Sequence, residues 1–137
     1  MIPQRIIKEM FRIAQKSMNS SNVSDENHKV GAAALGESGK IYGGCCLISV
    51  PQDYCAERVA LFKAVSEGEK KIEAILITKH GKREKIGGPC GICLNALWQL
   101  SNNPELEIIL QRTNEKKPII KKIRDFYPYP YTSTFKF

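Results

Sequence analysis

The sequence predicts an α/β protein: a three-layer α/β/α sandwich around a mixed five-stranded sheet. Three observations predict it. Apolar residues recur at helical spacing in three stretches, with short β-rich runs between them. The first two strands are separated only by a glycine-bounded turn, which reads as a hairpin. The later strands alternate with helices, a pattern that places helices on the faces of the sheet. One domain over residues 1–137 is expected, because that length suits a single core.

The elements follow in order. Ile6, Ile7, Met10, Phe11, Ile13, Ala14 and Met18 predict an amphipathic helix over 4–19. The polar stretch NSSNVSDEN is a loop. KVGAAALGESGKIYGGCCLI reads as strand, turn at Gly36–Gly39, and strand. A helix is expected over 55–67, ending at Gly68, with Val59, Ala60, Leu61, Phe62 and Val65 as its apolar residues. IEAILIT is a buried strand, and KHGKREKIGG is a loop. Residues 90–101 form the next helix, and LEIILQ the next strand. A last short element falls near Pro118–Phe126, and the prolines of FYPYPYTSTFKF prevent a regular helix there.

The bulk numbers narrow the function classes. No apolar run has the length of a membrane span. The N-terminus alternates apolar and charged residues and lacks the apolar core of a secretory signal, so a complete cytoplasmic protein is expected. The net charge of +7 would suit an acidic partner. Its clusters at Lys79–Lys85 and Lys116–Arg124 carry no interleaved aromatics for base stacking, so they read as solvated surface rather than as a nucleic-acid contact. The five cysteines of a cytoplasmic chain point away from disulfides and toward a metal.

Two stretches carry the chemistry. DYCAERVAL places Cys55 and Glu57 at the start of one helix. GGPCGICLNAL places Cys90 and Cys93 one helical turn apart at the start of another. Each helix follows a strand. If those strands are parallel and adjacent, both helix starts meet at one end of the sheet, where α/β proteins bind ligands. Helix N-termini favour thiolates, and Pro89 fits just before the second helix. Three thiolates match a catalytic zinc, which takes three protein ligands and keeps a fourth position for water. Glu57 is then the proton carrier, and Arg58 offsets the negative charge of three thiolates. A structural zinc is the competing reading, with Cys45, Cys46, His28 or His80 as fourth ligand.

The chain resembles the cytidine deaminase family of small, zinc-dependent, free-nucleoside enzymes. KVGAAAL, SGKIYGG, CAERVALFKAVSEG and GGPCGIC are similar to consecutive family blocks. The resemblance implies zinc on Cys55, Cys90 and Cys93, with Glu57 as proton shuttle and Arg58 hydrogen-bonded to the thiolates. It implies that the Ala56 N–H and the Pro89 carbonyl contact the pyrimidine of a small aminopyrimidine nucleoside. It further implies a homotetramer, with Tyr131 of the aromatic tail closing a neighbouring pocket. Three positions depart from the family pattern. His28 stands at the base-flanking phenylalanine, while Cys46 and Ile48 stand at the ribose-binding asparagine and glutamate. Blasticidin S deaminases, a related branch, also depart there. The expected reaction is zinc-dependent deamination of a cytosine nucleoside, with another aminopyrimidine such as blasticidin S as the alternative substrate. A polynucleotide deaminase and a non-catalytic zinc-stabilised protein are further alternatives.

Overall fold

In a computed structural model, residues 1–81 and 86–132 are described. The first helix, α1 (Gln4–Met18), buries Ile7, Met10, Ala14 and Met18 along one face. The loop after it contains a single 3-10 turn, Glu26–His28, capped by the Asp25 side chain. The hairpin forms as read, with β1 (Val30–Gly36) antiparallel to β2 (Ile41–Cys45).

A feature that the sequence does not announce follows β2. β3 (Leu47–Ile48) and β4 (Asp53–Tyr54) form a separate two-residue ladder that leads into the next helix. That helix, α2 (Ala56–Ser66), is followed by β5 (Ile72–Lys79), α3 (Gly91–Leu100) and β6 (Glu107–Leu110). The element expected near Pro118–Phe126 is two: β7 (Ile119–Lys122) and a short helix, α4 (Ile123–Phe126).

The five-stranded sheet has the order β2-β1-β5-β6-β7. β5 and β6 are parallel; the other neighbouring pairs are antiparallel. The sheet is therefore mixed. β2 and β5, the main-sheet strands that precede α2 and α3, point the same way but are not adjacent, because β1 lies between them. That corrects the expectation of adjacent strands. The helix starts still meet, because both strands run toward the same end of the sheet.

Each face of the sheet has its own core. α1 packs on Ala33, Leu35, Ala74, Leu76 and Ile109. Ala32, Ala34, Ile75, Ile77, Ile108 and Leu110 face the other way, toward residues of α2, α3 and α4. The alternation along each strand sorts the residues between these layers. Neighbouring glycines of β2 let helices approach from both sides. A Cβ on Gly43 would lie 2.1 Å from Ser17 Oγ of α1, and one on Gly44 would lie 2.5 Å from the Ala60 backbone nitrogen of α2.

α2 differs from the expected burial. Its buried residues are Ala56, Glu57, Ala60, Leu61 and Ala64, whereas Phe62 is exposed. Small residues face the sheet because the helix lies close to it. No helix among the described residues is long and apolar enough to cross a membrane.

Candidate active site and metal centre

Cys55 is the N-cap residue of α2 and Cys90 the N-cap residue of α3. Both have extended backbones, so each carbonyl accepts from the first turn: Val59 N–H from α2 at 3.2 Å and Leu94 N–H from α3 at 2.9 Å. Cys93 sits one turn further into α3 and is fully buried. The three Sγ atoms lie within 4.8 Å of one another, and Cys55 Sγ is 3.9 Å from Cys90 Sγ. Tetrahedral zinc with bonds of about 2.3 Å holds its thiolates roughly 3.8 Å apart. All three are free cysteines. The donor set and its spacing fit zinc.

The structural-zinc alternative needs a fourth ligand. Among the described residues, the cluster contains Cys55, Cys90 and Cys93 and no fourth side chain. Cys45, Cys46, His28 and His80 are not part of it.

The three thiols do not share one electrostatic environment. Burial raises the pKa of Cys55, against a lowering hydrogen bond from Arg58. Burial and the neighbouring Glu57 charge raise Cys93 far above the ordinary thiol range. At Cys90 burial also works upward, but backbone N–H groups of Cys93 and Ile92 and the neighbouring thiols outweigh it and hold the thiol below its ordinary value. Cys90 is thus the thiol most ready to ionise, at an exposed helix start.

Glu57 lies within the first turn of α2 and is 6% exposed. Burial raises its pKa, opposed by its own backbone N–H, by Cys93, and by the charges of Arg58 and Lys79. It lines a cavity of ≈ 170 Å³ together with Cys55, Ala56 and Cys90. A buried carboxylate with a raised pKa, facing a cavity beside a metal-binding cluster, is suited to exchanging protons near neutral pH.

Arg58 reaches back under the cluster. Its Nη2 donates to Cys55 Sγ at 3.8 Å and to the Asp53 carbonyl at 3.2 Å. The guanidinium carbon lies 5.4 Å from the centre of the Tyr54 ring. The β3–β4 ladder therefore supplies the carbonyl and the ring that hold this arginine.

The other residues singled out in the sequence fall in different places. Cys46 lines the cavity, and its sulfur accepts from Val30 N–H at 3.2 Å. Ala56 lines the cavity too, next to Glu57. Pro89 is buried just before Cys90. His28 is exposed, pairs with Asp25 at 3.0 Å, and is not among the cavity-lining residues. Ile48 is 51% exposed, and its backbone is held by Asn22 through bonds of 2.7 and 2.8 Å. Tyr131 is exposed, with its N–H donating to Tyr127 Oη at 2.8 Å; Tyr127 Oη in turn donates to Asn95 of α3 at 3.2 Å.

Sequence reasoning missed the rest of the cavity wall. Val30, Ile77, Lys79, Ile86, Gly87 and Gly88 complete it. The two glycines belong to the approach to α3, where a Cβ on Gly88 would meet the Phe126 ring at 2.5 Å. Residues 82–85 of the expected loop lie outside the described residues.

The sequence pattern described as "Cytidine and deoxycytidylate deaminase zinc-binding region" matches residues 4–105. The chain is 32% identical over 98 residues to a cytidine deaminase of Sporosarcina psychrophila, covering 70% of this chain and 71% of that protein. Its fold superposes on the crystal structure of cytidine deaminase from Burkholderia pseudomallei with a TM-score of 0.79 at 25% identity, covering 95% of this chain and 100% of that one. A blasticidin-S deaminase of Bacillus cereus is 25% identical over 139 residues, covering 89% of this chain and 96% of that protein. Fold and thiol cluster together define a zinc-dependent hydrolase of the deaminase type. The chain belongs to the cytidine and deoxycytidylate deaminase family.

Proposed function

We propose that the chain hydrolyses the amino group of a cytosine nucleoside, converting cytidine or deoxycytidine and water to the uracil nucleoside and ammonia. The observation that carries this reading is the buried Glu57 carboxylate facing the same cavity as the thiols of Cys55 and Cys90. Cys55, Cys90 and Cys93 would hold zinc, which would supply the Lewis acidity that makes a water nucleophilic near neutral pH. Glu57 would pass one proton of the attacking water to ring nitrogen N3 and the other to the departing amine, which leaves as ammonia. Its burial favours holding a proton between these transfers. Arg58 steadies the Cys55 thiolate through Nη2.

The Ala56 N–H and the Pro89 carbonyl are assigned to the pyrimidine edge, His28 and Cys46 to the substrate side, and Tyr131 to closure of the pocket. These assignments rest on the family resemblance. Cys46 and Ile48 in place of ribose-binding polar residues also favour a second reading, another aminopyrimidine such as blasticidin S, the substrate named for the Bacillus cereus relative.

We further propose a cytoplasmic homotetramer of single-domain chains that works in pyrimidine salvage. The homotetramer rests on the family resemblance; Phe62, Ile92 and Leu100 of α2 and α3 are exposed and available to such a contact. Light scattering at micromolar concentration checks this; a monomer would contradict it. The reaction is checked by ammonia release from cytidine, deoxycytidine, cytosine and blasticidin S with zinc-loaded protein. Release from none of them would overturn the deaminase reading.

A further inference from the structure

The chain enters α2 through the two-residue ladder of β3 and β4, in which Leu47 pairs with Tyr54 and Ile48 with Asp53. So short a ladder is not stable by itself. Asn22, in the loop after α1, braces it. Its side-chain amide donates to the Ile48 carbonyl at 2.8 Å, and its side-chain oxygen accepts from Ile48 N–H at 2.7 Å. The brace fixes Asp53 and Tyr54, the two residues that lead into the N-cap Cys55.

Arg58 returns onto these two residues. It stands one helical turn after Cys55, and its Nη2 donates to Cys55 Sγ at 3.8 Å and to the Asp53 carbonyl at 3.2 Å. Its guanidinium lies over the Tyr54 ring, 5.4 Å from the centre, within the range of a cation–π contact. Among the described residues Arg58 makes no ion pair. Its Nε is buried without a hydrogen-bond partner among them. The ring is thus the anchor for the face of the guanidinium.

A ring and a carboxylate are different anchors for a cation. Three thiolates and a divalent ion leave a centre with one negative charge in excess. A carboxylate on Arg58 would cancel the positive charge that offsets this excess. An aromatic face holds a guanidinium through its quadrupole and carries no net charge. With Tyr54 as anchor, the charge of Arg58 stays directed at Cys55 Sγ.

We propose that Tyr54 is a positioning residue of the metal centre: its ring holds Arg58 against the Cys55 thiolate without neutralising it, and so sets how tightly the three cysteines retain zinc. The role concerns the metal and is independent of the substrate the cavity takes.

The test measures zinc affinity by competition with a chromophoric chelator, in wild type, Tyr54→Phe, Tyr54→Leu, Arg58→Gln and the Tyr54→Leu, Arg58→Gln double variant. Tyr54→Leu should weaken zinc binding by roughly tenfold, the lower range for groups that support metal ligands. Tyr54→Phe keeps the ring and should stay within about twofold of wild type. Removing the ring from Arg58→Gln should cost nothing further. In cobalt-loaded protein, the thiolate-to-metal charge-transfer band should move to lower energy in Tyr54→Leu and stay in place in Tyr54→Phe. A thiolate that loses a hydrogen-bond donor releases its electrons more easily. Circular dichroism checks the fold, and Tyr54→Met is measured in place of a leucine variant that does not fold. A ring-deleted variant that holds zinc as tightly as wild type would overturn the proposal. So would an equal loss in the Arg58→Gln background, because Tyr54 would then act without the arginine. A fall in affinity with the cobalt band unmoved would overturn it too, since the arginine would have kept its place. Neither measurement uses a substrate, so failure of the deaminase reading and failure of this proposal are told apart.

Discussion

The wall of the cavity that carries Cys55, Glu57 and Cys90 comes from two helix starts, whereas the facing wall comes from strand ends and their connections: Val30, Cys46, Ile77 and Lys79. The helix-start wall packs its chemistry within a few residues of each N-cap. The strand wall gathers residues far apart in sequence and sets them by register. The first wall carries the residues of the proposed reaction; the second carries Cys46, where the family resemblance leads one to expect a polar residue. On the proposed reading the reaction and the pyrimidine edge belong to the first wall and the sugar side of the substrate to the second, so a change on one wall should leave the property of the other intact.

The largest effect should come from removing a ligand. Cys93→Ala deletes the fully buried thiol of the cluster. Zinc content should fall from one per chain to near zero, and turnover should drop on the order of a million-fold with it. Metal analysis beside circular dichroism separates metal loss from unfolding. A folded variant that keeps both zinc and turnover would show that Cys93 is not a ligand.

Glu57→Gln should be next, losing ~100- to 10,000-fold in kcat while keeping zinc and fold. The amide has the same shape but carries no proton between water and amine. Its substrate preferences should match those of wild type, because the facing wall is untouched. Near-normal turnover would remove Glu57 from its role.

The difference between the walls also explains what the sequence discloses. Cys55, Glu57, Cys90 and Cys93 are legible because their spacing is local: N-cap positions and one helical turn fix their direction. Lys79 was hidden. It opens the charged run Lys79–Lys85, which reads as solvated loop, and only the pairing of β1 with β5 places it as the last residue of a strand facing the cavity. The β3–β4 ladder was hidden for a similar reason, since two-residue strands leave no periodicity to detect. The order of layers was readable from alternating elements. Adjacency was not, because an antiparallel β1 can lie between β2 and β5 without altering any local pattern. Phe62 shows the converse limit: apolar character does not say which apolar face a helix turns inward.

A smaller effect is expected on the strand wall. Cys46→Asn with Ile48→Glu places a polar pair where the family resemblance puts the sugar contacts. Ile48 is half-exposed, so a glutamate there carries no burial cost. Two recovered hydrogen bonds should raise kcat/KM for cytidine by roughly tenfold, with little change in kcat. The gain should be absent for free cytosine, which has no sugar to hold. If a folded, zinc-bearing double variant gains nothing on cytidine, the sugar is bound elsewhere on this wall.

The smallest effect concerns stability in zinc-free protein. Burial raises the pKa of Glu57 above its ordinary 4.5. The folded state then binds more protons than the unfolded state between the two values, so this contribution to stability is fully present below the ordinary value. It is lost as pH rises through the raised one. Zinc-free wild type should therefore lose stability relative to zinc-free Glu57→Gln as pH rises through that window, in urea unfolding at a series of pH values. The glutamine variant has no such group, so the difference between the two curves isolates Glu57 from every other titrating residue. Curves that stay parallel across the window would mean that Glu57 ionises in the folded protein as easily as in the unfolded chain. Its burial would then not hold the proton, and the helix-start wall would need another group to carry it from water to amine.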